Sequence, residues 1–301
     1  MNKMNKKLQS GSCTLVLGSF YYKDFLEEKP NKLLKITNVV DLHNEFKYLD
    51  KIRKIDNYKN YYTIPDEMQY LLTPSDAFYS TIKTLILSME DKPNNYDGYL
   101  YCNYIDSAGD KDMQQTVTDL FDKDFTFWKS YKVIYKFITK IMEGFNYLHQ
   151  NKLCHLDIKP ENIMVDTNKC EFRIIDFGFC DIEPFNTFIK NPTGTLEYFP
   201  KLLKNTLIKP WLPQILANDM VLVNKKLPIY DDYLLVYKID SFGLGRTLYF
   251  LKYIYDDNKQ YSCYSNEKKL GLKLNNIIDC LLEKDVYKRY FIKDCIDEYI
   301  D

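Results

Sequence analysis

The chain has 301 residues and a formal net charge of −1, too long for one small core and too short for three, so one or two lobes are expected. Hydrophobic residues at 46% and charged residues at 28% describe a folded globular protein rather than a disordered one. The near-neutral balance gives no electrostatic case for a nucleic-acid partner or an anionic membrane surface.

The opening Met1-Asn-Lys-Met-Asn-Lys-Lys7 is basic, but no apolar stretch of the kind a signal peptide needs follows it, and no run reaches membrane-spanning length. Eight cysteines (13, 102, 154, 170, 180, 263, 280, 295) never form a C-x-x-C pair and lie mostly in apolar segments. That predicts reduced, buried thiols and an intracellular protein, cytoplasmic in the host or in a virion if viral. The three histidines are scattered and none pairs locally with a cysteine, which argues against a zinc site. Four arginines (53, 173, 246, 289) stand against 37 lysines, amid many Asn, Ile and Tyr. Such usage points to an AT-rich genome, for instance that of a protist or a large DNA virus.

In chain order, Leu15–Leu17 and Lys32–Ile36 read as strands, and Tyr61–Ile64 as a third. Leu42, Phe46, Leu49 and Ile52 recur at helical spacing between them. A polar, turn-rich stretch from Glu90 to Asp97 precedes a buried strand, Tyr99–Ile105, and the loop Asp106–Asp110 after it is the natural lobe boundary. Tyr131, Ile134, Ile138, Ile141, Phe145 and Leu148 mark a long core helix, and another runs from about Leu234 through Leu251. Two shorter helices are predicted at 270–283 and 289–299. The pattern as a whole predicts an α+β chain, with a small β-rich lobe (about 1–105) carrying one helix and a larger helical lobe (about 106–301).

The run His155-Leu-Asp-Ile-Lys-Pro-Glu-Asn-Ile-Met164, with Asp176-Phe-Gly178 fourteen positions after its asparagine, carries the chemistry. It supplies a carboxylate, a lysine, an amide and a second carboxylate. Asp157 can orient a hydroxyl and accept its proton, and Lys159 can neutralise charge on a moving phosphoryl group. Asn162 and Asp176 offer the hard oxygen ligands that Mg²⁺ prefers. The run resembles the catalytic loop of protein kinases, and Asp176-Phe177-Gly178 resembles their metal-binding motif.

The resemblance extends over roughly residues 8 to 290, in family order. Lys35, ending Lys32-Leu-Leu-Lys35, is similar to the strand lysine that holds the nucleotide phosphates, and Glu45 to its helix partner. Without the family context they would be two solvated charges. Leu33 stands where a small residue usually faces the adenine. Leu8-Gln-Ser-Gly11-Ser-Cys-Thr14-Leu-Val16 resembles the glycine-rich loop, although Gln9 and Thr14 replace two of its glycines. A second register, with Gly18-Ser-Phe20 at the tip, also fits the distance to Lys35. The resemblance implies ATP between the lobes, its adenine against the strand ending at Cys102-Asn103-Tyr104, with Val16 above and Met164 below. It also implies two Mg²⁺ held by Asn162 and Asp176.

Gly194-Thr195-Leu-Glu-Tyr198-Phe-Pro200 resembles the segment that receives a protein substrate. Thr195, with Lys159, matches the Ser/Thr class rather than the Tyr class. The family glutamate after that proline is absent, since Lys201 follows, so Arg289 loses its usual partner and Glu197 is the substitute at hand. Leu156 replaces the arginine that grips a phosphorylated activation loop, and Thr187, Thr193 and Thr195 have no arginine near them in sequence, which implies constitutive activity. Asp240, in Lys238-Ile-Asp-Ser-Phe-Gly-Leu-Gly245, matches the aspartate that anchors the catalytic loop from below, with an ordinary helix cap as its alternative. Forty residues separate Pro200 from Asp240, where the family needs far fewer, so an insert at about 203–232 is expected.

These features identify a divergent eukaryotic-type Ser/Thr protein kinase, similar to those of large DNA viruses, acting with ATP and Mg²⁺ on protein substrates. A pseudokinase on the same fold is the first alternative, favoured by the degraded glycine loop. A small-molecule kinase is the second, opposed by Lys159-Pro-Glu161, Phe177-Gly178 and Gly194-Thr195.

Overall fold

The computed structural model describes residues 14–17, 22–26, 29, 32–87, 100–106, 108–109, 111–118, 127–129, 131–183, 194–200, 234–257 and 265–300. Gly11, the alternative glycine turn at 18–20 and the insert at 203–232 lie outside these residues, as does the side chain of Glu45.

Four strands form an antiparallel sheet: β1 (Thr14–Leu17), β2 (Lys32–Asn38), β3 (Pro65–Leu72) and β4 (Leu100–Asp106), in the order β1-β2-β4-β3. Because side chains alternate across a strand, β2 and β4 present two different faces. Leu34, Ile36, Cys102 and Tyr104 join Leu17, Tyr22 and Leu72 in one apolar cluster. Helix α2 (Ala77–Leu87) closes that cluster with Phe78, Tyr79 and Ile82. Lys35 belongs to the other face: its neighbours in the ladders are Val16 on β1 and Asn103 on β4.

Helix α1 (Val39–Arg53) leaves the sheet directly after β2. It buries Tyr48, Leu49 and Ile52 in the larger core, among residues of the C-terminal half. The third strand departs from expectation. Tyr61–Ile64 makes only a single bridge, Tyr62 to Ile174, and the strand is Pro65–Leu72. The reason is that the 61–64 backbone is engaged elsewhere: Thr63 N donates to Ile174 O at 3.0 Å, and Ile174 N to Tyr61 O at 2.8 Å. Tyr62 and Ile64 are accordingly buried in the large core. Helix α2 was unanticipated, although Phe78, Ile82 and Leu85 carry a helical spacing.

The C-terminal half is built on α4 (Tyr131–Gln150), preceded by β5 (Lys111–Asp112) and a short α3 (Met113–Thr118). Ile134, Phe137, Ile138, Ile141, Phe145 and Leu148 are all buried, the stripe that the three/four spacing predicts. A two-stranded ribbon of β6 (Leu153–Cys154) and β9 (Asp181–Ile182) and a sheet of β5, β7 (Ile163–Asp166) and β8 (Glu171–Ile174) follow. Helices α5 (Leu234–Asp257), α6 (Ser265–Leu281) and α7 (Ile292–Tyr299) complete the core. Helix α6 begins five residues before the predicted 270–283 and ends two earlier, while α7 begins three residues after the predicted 289 and ends with it at 299. Among the described residues no helix is long and apolar enough to cross a membrane.

Leu49 is fully buried in the core that joins α1 to the C-terminal half. Leu49→Ala is expected to cost about 2–5 kcal/mol, read as a fall of several degrees in the thermal unfolding midpoint. The exposed Lys47→Ala on the same helix is expected to leave it unchanged.

Candidate active site

The catalytic-loop backbone is held in an uncommon conformation by one carboxylate. Leu156 has φ 62°, a region that costs a non-glycine residue energy unless its surroundings enforce it. Asp240 enforces it from the first turns of α5. Its two oxygens accept the N–H groups of His155 and Leu156, each at 2.8 Å. His149, near the end of α4, lies with Nε2 3.0 Å from the same carboxylate. Asp240 is buried, so this is a backbone anchor and not merely a helix cap.

His155 is fixed in turn. Asp157 N donates to its Nδ1 at 3.3 Å, so Nε2 carries the proton and donates to Ile175 O at 3.1 Å. The imidazole meets Phe177 edge-on at 5.2 Å, and Phe177 meets Tyr62 at 5.8 Å. A column of buried rings thus ties the catalytic loop, the Asp176–Gly178 motif and the segment before β3.

Four donors converge on Asp157. Oδ1 accepts the Thr195 amide at 2.8 Å and hydroxyl at 2.6 Å. Oδ2 accepts Asn162 Nδ2 and Lys159 Nζ, both at 2.9 Å. Lys159 Nζ also donates to Thr195 Oγ1 at 2.8 Å, closing a triangle. Burial pushes the Asp157 pKa up, but the Lys159 charge and the Thr195 hydrogen bond outweigh it and hold the group below its usual value. The carboxylate is therefore ionised at neutral pH.

Thr195 reaches Asp157 because residue 194 is glycine. Gly194 has φ 127°, and a Cβ there would lie 2.4 Å from Leu156 O and 2.6 Å from the Phe199 ring. This requirement crosses from one loop to another, so only the assembled loops reveal it.

Asn162 closes the short 3₁₀ turn Pro160–Asn162. It spends its amide hydrogens on Asp157, at the backbone oxygen (2.8 Å) and Oδ2 (2.9 Å), which leaves its own Oδ1 for other partners. Ile175 N donates to Asn162 O at 3.0 Å, bringing the Asp176 motif beside this turn. Asp176 is exposed, with φ 65° and Gly178 N 3.3 Å from Oδ1. An amide oxygen and an exposed carboxylate on neighbouring chain segments fit an oxygen-loving divalent cation.

Lys35 is buried on the sheet face shared with Val16 and Asn103, while Met164 is half-buried on β7 opposite Asp112. Cys102 and Tyr104 do not belong to this site. They pack into the opposite cluster with Leu34 and Ile36. The backbone of their strand is also occupied, because β4 runs between β2 and β3 and continues to Asp106. Burial pushes the Cys102 thiol far up, as suits a core residue. Of the three strand residues expected there, only Asn103 shares the lysine face.

The Glu197 substitute for the missing glutamate also fails. Glu197 is exposed, whereas buried Arg289 donates to Glu283 O at 3.0 Å and Lys238 O at 3.1 Å. Its guanidinium lies 5.0 Å from the Phe242 ring centre. Burial pulls the Arg289 pKa down to about 10, still charged at neutral pH, and backbone carbonyls do the work of a carboxylate. A cavity of about 620 Å³ lies elsewhere, between the Arg53–Asp66 segment and the β7–β8 hairpin, and shares only Tyr62 of the ring column with the site residues above.

The protein kinase domain family model matches residues 36–211, a span that holds the catalytic loop and Asp176-Phe177-Gly178 but leaves out β1, the start of β2 with Lys35, and α5. The chain belongs to this family. A striated muscle preferentially expressed protein kinase of Danio rerio is 47% identical over 79 residues, covering 25% of this chain and 2% of that protein. The serine/threonine-protein kinase ELM1 of Saccharomyces cerevisiae is 30% identical over 174 residues, covering 54% of this chain and 26% of that protein. The chain thus spans a small part of these curated relatives. Among solved structures, the Cydia pomonella granulovirus kinase PK-1 matches with a TM-score of 0.55 at 15% identity, over 98% of this chain and 92% of that one. At that identity the likeness concerns the fold. The kinase is thus a divergent eukaryotic-type member with a fold similar to that of a viral kinase.

The anchor gives a direct expectation. Asp240→Asn turns one acceptor toward a backbone N–H into a donor, leaving a buried group unsatisfied at about 1–3 kcal/mol. The variant is expected to show a lower unfolding midpoint and a loss of any phosphotransfer at least as large as its loss of stability.

Proposed function

We propose that this kinase is catalytically active and transfers the γ-phosphoryl group of ATP to serine and threonine hydroxyls of proteins inside cells. The observation that carries the reading is the ionised Asp157 carboxylate with Lys159 and Thr195 hydrogen-bonded to it. In the reaction the acceptor oxygen bonds to the γ-phosphorus as the bond from that phosphorus to the β-γ bridging oxygen breaks. ADP leaves and Asp157 receives the hydroxyl proton.

The saturated carboxylate adds a detail. An ionised carboxylate has about four lone-pair sites, and four donors already occupy Asp157. The acceptor hydroxyl must displace one of them. Lys159 is the candidate, because its side chain is 21% exposed whereas Asn162 is buried, and a released ammonium can follow the transferring phosphoryl group.

Lys35, with Glu45 from α1, would hold the α- and β-phosphates. Val16 and Met164 would enclose the base from either side, and Gly11 would belong to the loop over the phosphates. The base edge would meet the chain beyond β4, past Asp106, since Cys102–Tyr104 is committed to the sheet. Asn162 and Asp176 would hold Mg²⁺, which neutralises phosphate charge when bound. The lobe division at about residues 105–106 follows from the same placement, with protein substrates approaching over Gly194–Pro200.

Asp157→Asn is expected to lower kcat by roughly 10²–10⁴-fold while the ATP dissociation constant, measured calorimetrically, stays within about twofold. A variant keeping half of wild-type turnover would remove Asp157 from this role. Wild type that binds Mg·ATP but transfers nothing would be a pseudokinase.

Mass-spectrometric mapping of phosphorylated sites on generic protein substrates is expected to return phosphoserine and phosphothreonine. Predominant phosphotyrosine would place the kinase in the other class.

A further inference from the structure

With leucine at 156, no arginine stands between His155 and Asp157 to hold a phosphorylated segment, yet the chain after Asp176-Phe177-Gly178 is closely tied down. β9 pairs with β6, Cys154 opposite Asp181 and Leu153 opposite Ile182, and Glu183 N donates to Lys152 O at 3.0 Å. Its two carboxylates each receive a tyrosine hydroxyl from a different helix. Tyr48 of α1 donates to Asp181 Oδ1 at 3.3 Å, in a fully buried setting. Tyr237 of α5 donates to Glu183 Oε2 at 2.8 Å.

Both tyrosines connect onward to the site. Tyr48 lies one turn beyond Glu45 on the same helix, so its bond to Asp181 fixes the helix that carries the phosphate-site glutamate. The Tyr237 ring meets His149 edge-on at 4.9 Å, and His149 contacts the Asp240 carboxylate that anchors His155 and Leu156. Burial, reinforced by Glu183, pushes the Tyr237 hydroxyl far above its usual pKa, so it stays a donor across the working pH range.

We propose that Tyr48 and Tyr237 are positioning residues: through Asp181 and Glu183 they clamp the segment after Asp176 in its transfer-competent place, without phosphorylation. The inference rests on the phosphotransfer reading above for its effect on rate, but not for the clamp itself. A phosphate and an arginine cluster commonly order such a segment; here two tyrosine hydroxyls on two carboxylates take that part.

The test uses the full chain, Mg·ATP and a generic protein substrate, with backbone hydrogen exchange measured over residues 180–183. Tyr237→Phe and Tyr48→Phe are each expected to lower kcat roughly tenfold, the order of one charge-assisted hydrogen bond, with KM for ATP within about twofold. Exchange at Ile182 and Glu183 should accelerate in both. Glu183→Gln, which still offers an oxygen, should lose less kcat than Glu183→Ala, which offers none. The double variant Tyr237→Phe/Glu183→Ala should be no slower than either single one. Phosphatase treatment of wild type, followed by removal of the phosphatase, should leave initial rates unchanged.

Unaltered kcat and exchange in both Tyr→Phe variants, additive effects in the double variant, or a tenfold loss on dephosphorylation would overturn the proposal. If wild type transfers no phosphate, the activity reading fails while exchange still judges the clamp. If a tyrosine variant does not fold, the contrast between Glu183→Gln and Glu183→Ala decides.

Discussion

The carboxylate of Asp240 is the constraint on which the rest of the site depends. It receives two consecutive backbone N–H groups from His155 and Leu156, and in doing so holds Leu156 at a positive φ. That turn sends Asp157 toward Thr195 and Asn162 while His155 faces the ring column below. A neutral side chain at 240 could not accept twice with the same strength, because bonds to an ionised acceptor are stronger than neutral ones.

From that anchor the site is built outward as a set of filled acceptors. Asp157 is saturated by a lysine, a threonine and an asparagine, and Asn162 gives up its amide hydrogens in the process. The consequence is a carboxylate that remains charged although buried, beside an asparagine oxygen and an exposed Asp176 that are not consumed by those bonds. Catalysis by such a site depends on preorganised donors that need little rearrangement when charge moves. Lys159, whose side chain is partly exposed, has room to change partners.

The joint between the halves of the molecule is packed rather than hinged on a free loop. Helix α1 enters the large core through Tyr48, Leu49 and Ile52, and Tyr62 stands on Phe177. Strand β4 is committed on both edges to β2 and β3. The shortage of arginine also shapes the molecule. Arg289 is spent on backbone carbonyls under α5, and the segment after Asp176 is held by tyrosine hydroxyls.

Residue spacing alone was enough for what is local. The carboxylate, lysine, asparagine and second aspartate lie within twenty positions, and the core stripe of α4 repeats within single turns, so short-range geometry dictates both. The family match and the fold agree with the kinase-domain reading. The residues that only tertiary structure decided are those whose partners are far apart along the chain. Whether Cys102 faces the lysine or the opposite core depended on strand register, which a one-residue change inverts. Arg289 finding carbonyls instead of Glu197, and Gly194 having no room for a side chain beneath Leu156, depended on how separate loops stack. The pairing of Tyr48 and Tyr237 with carboxylates 133 and 54 positions away depended on three elements closing around one short strand. Backbone spacing carries no information about such meetings, because they are chosen by packing across the core rather than along the chain.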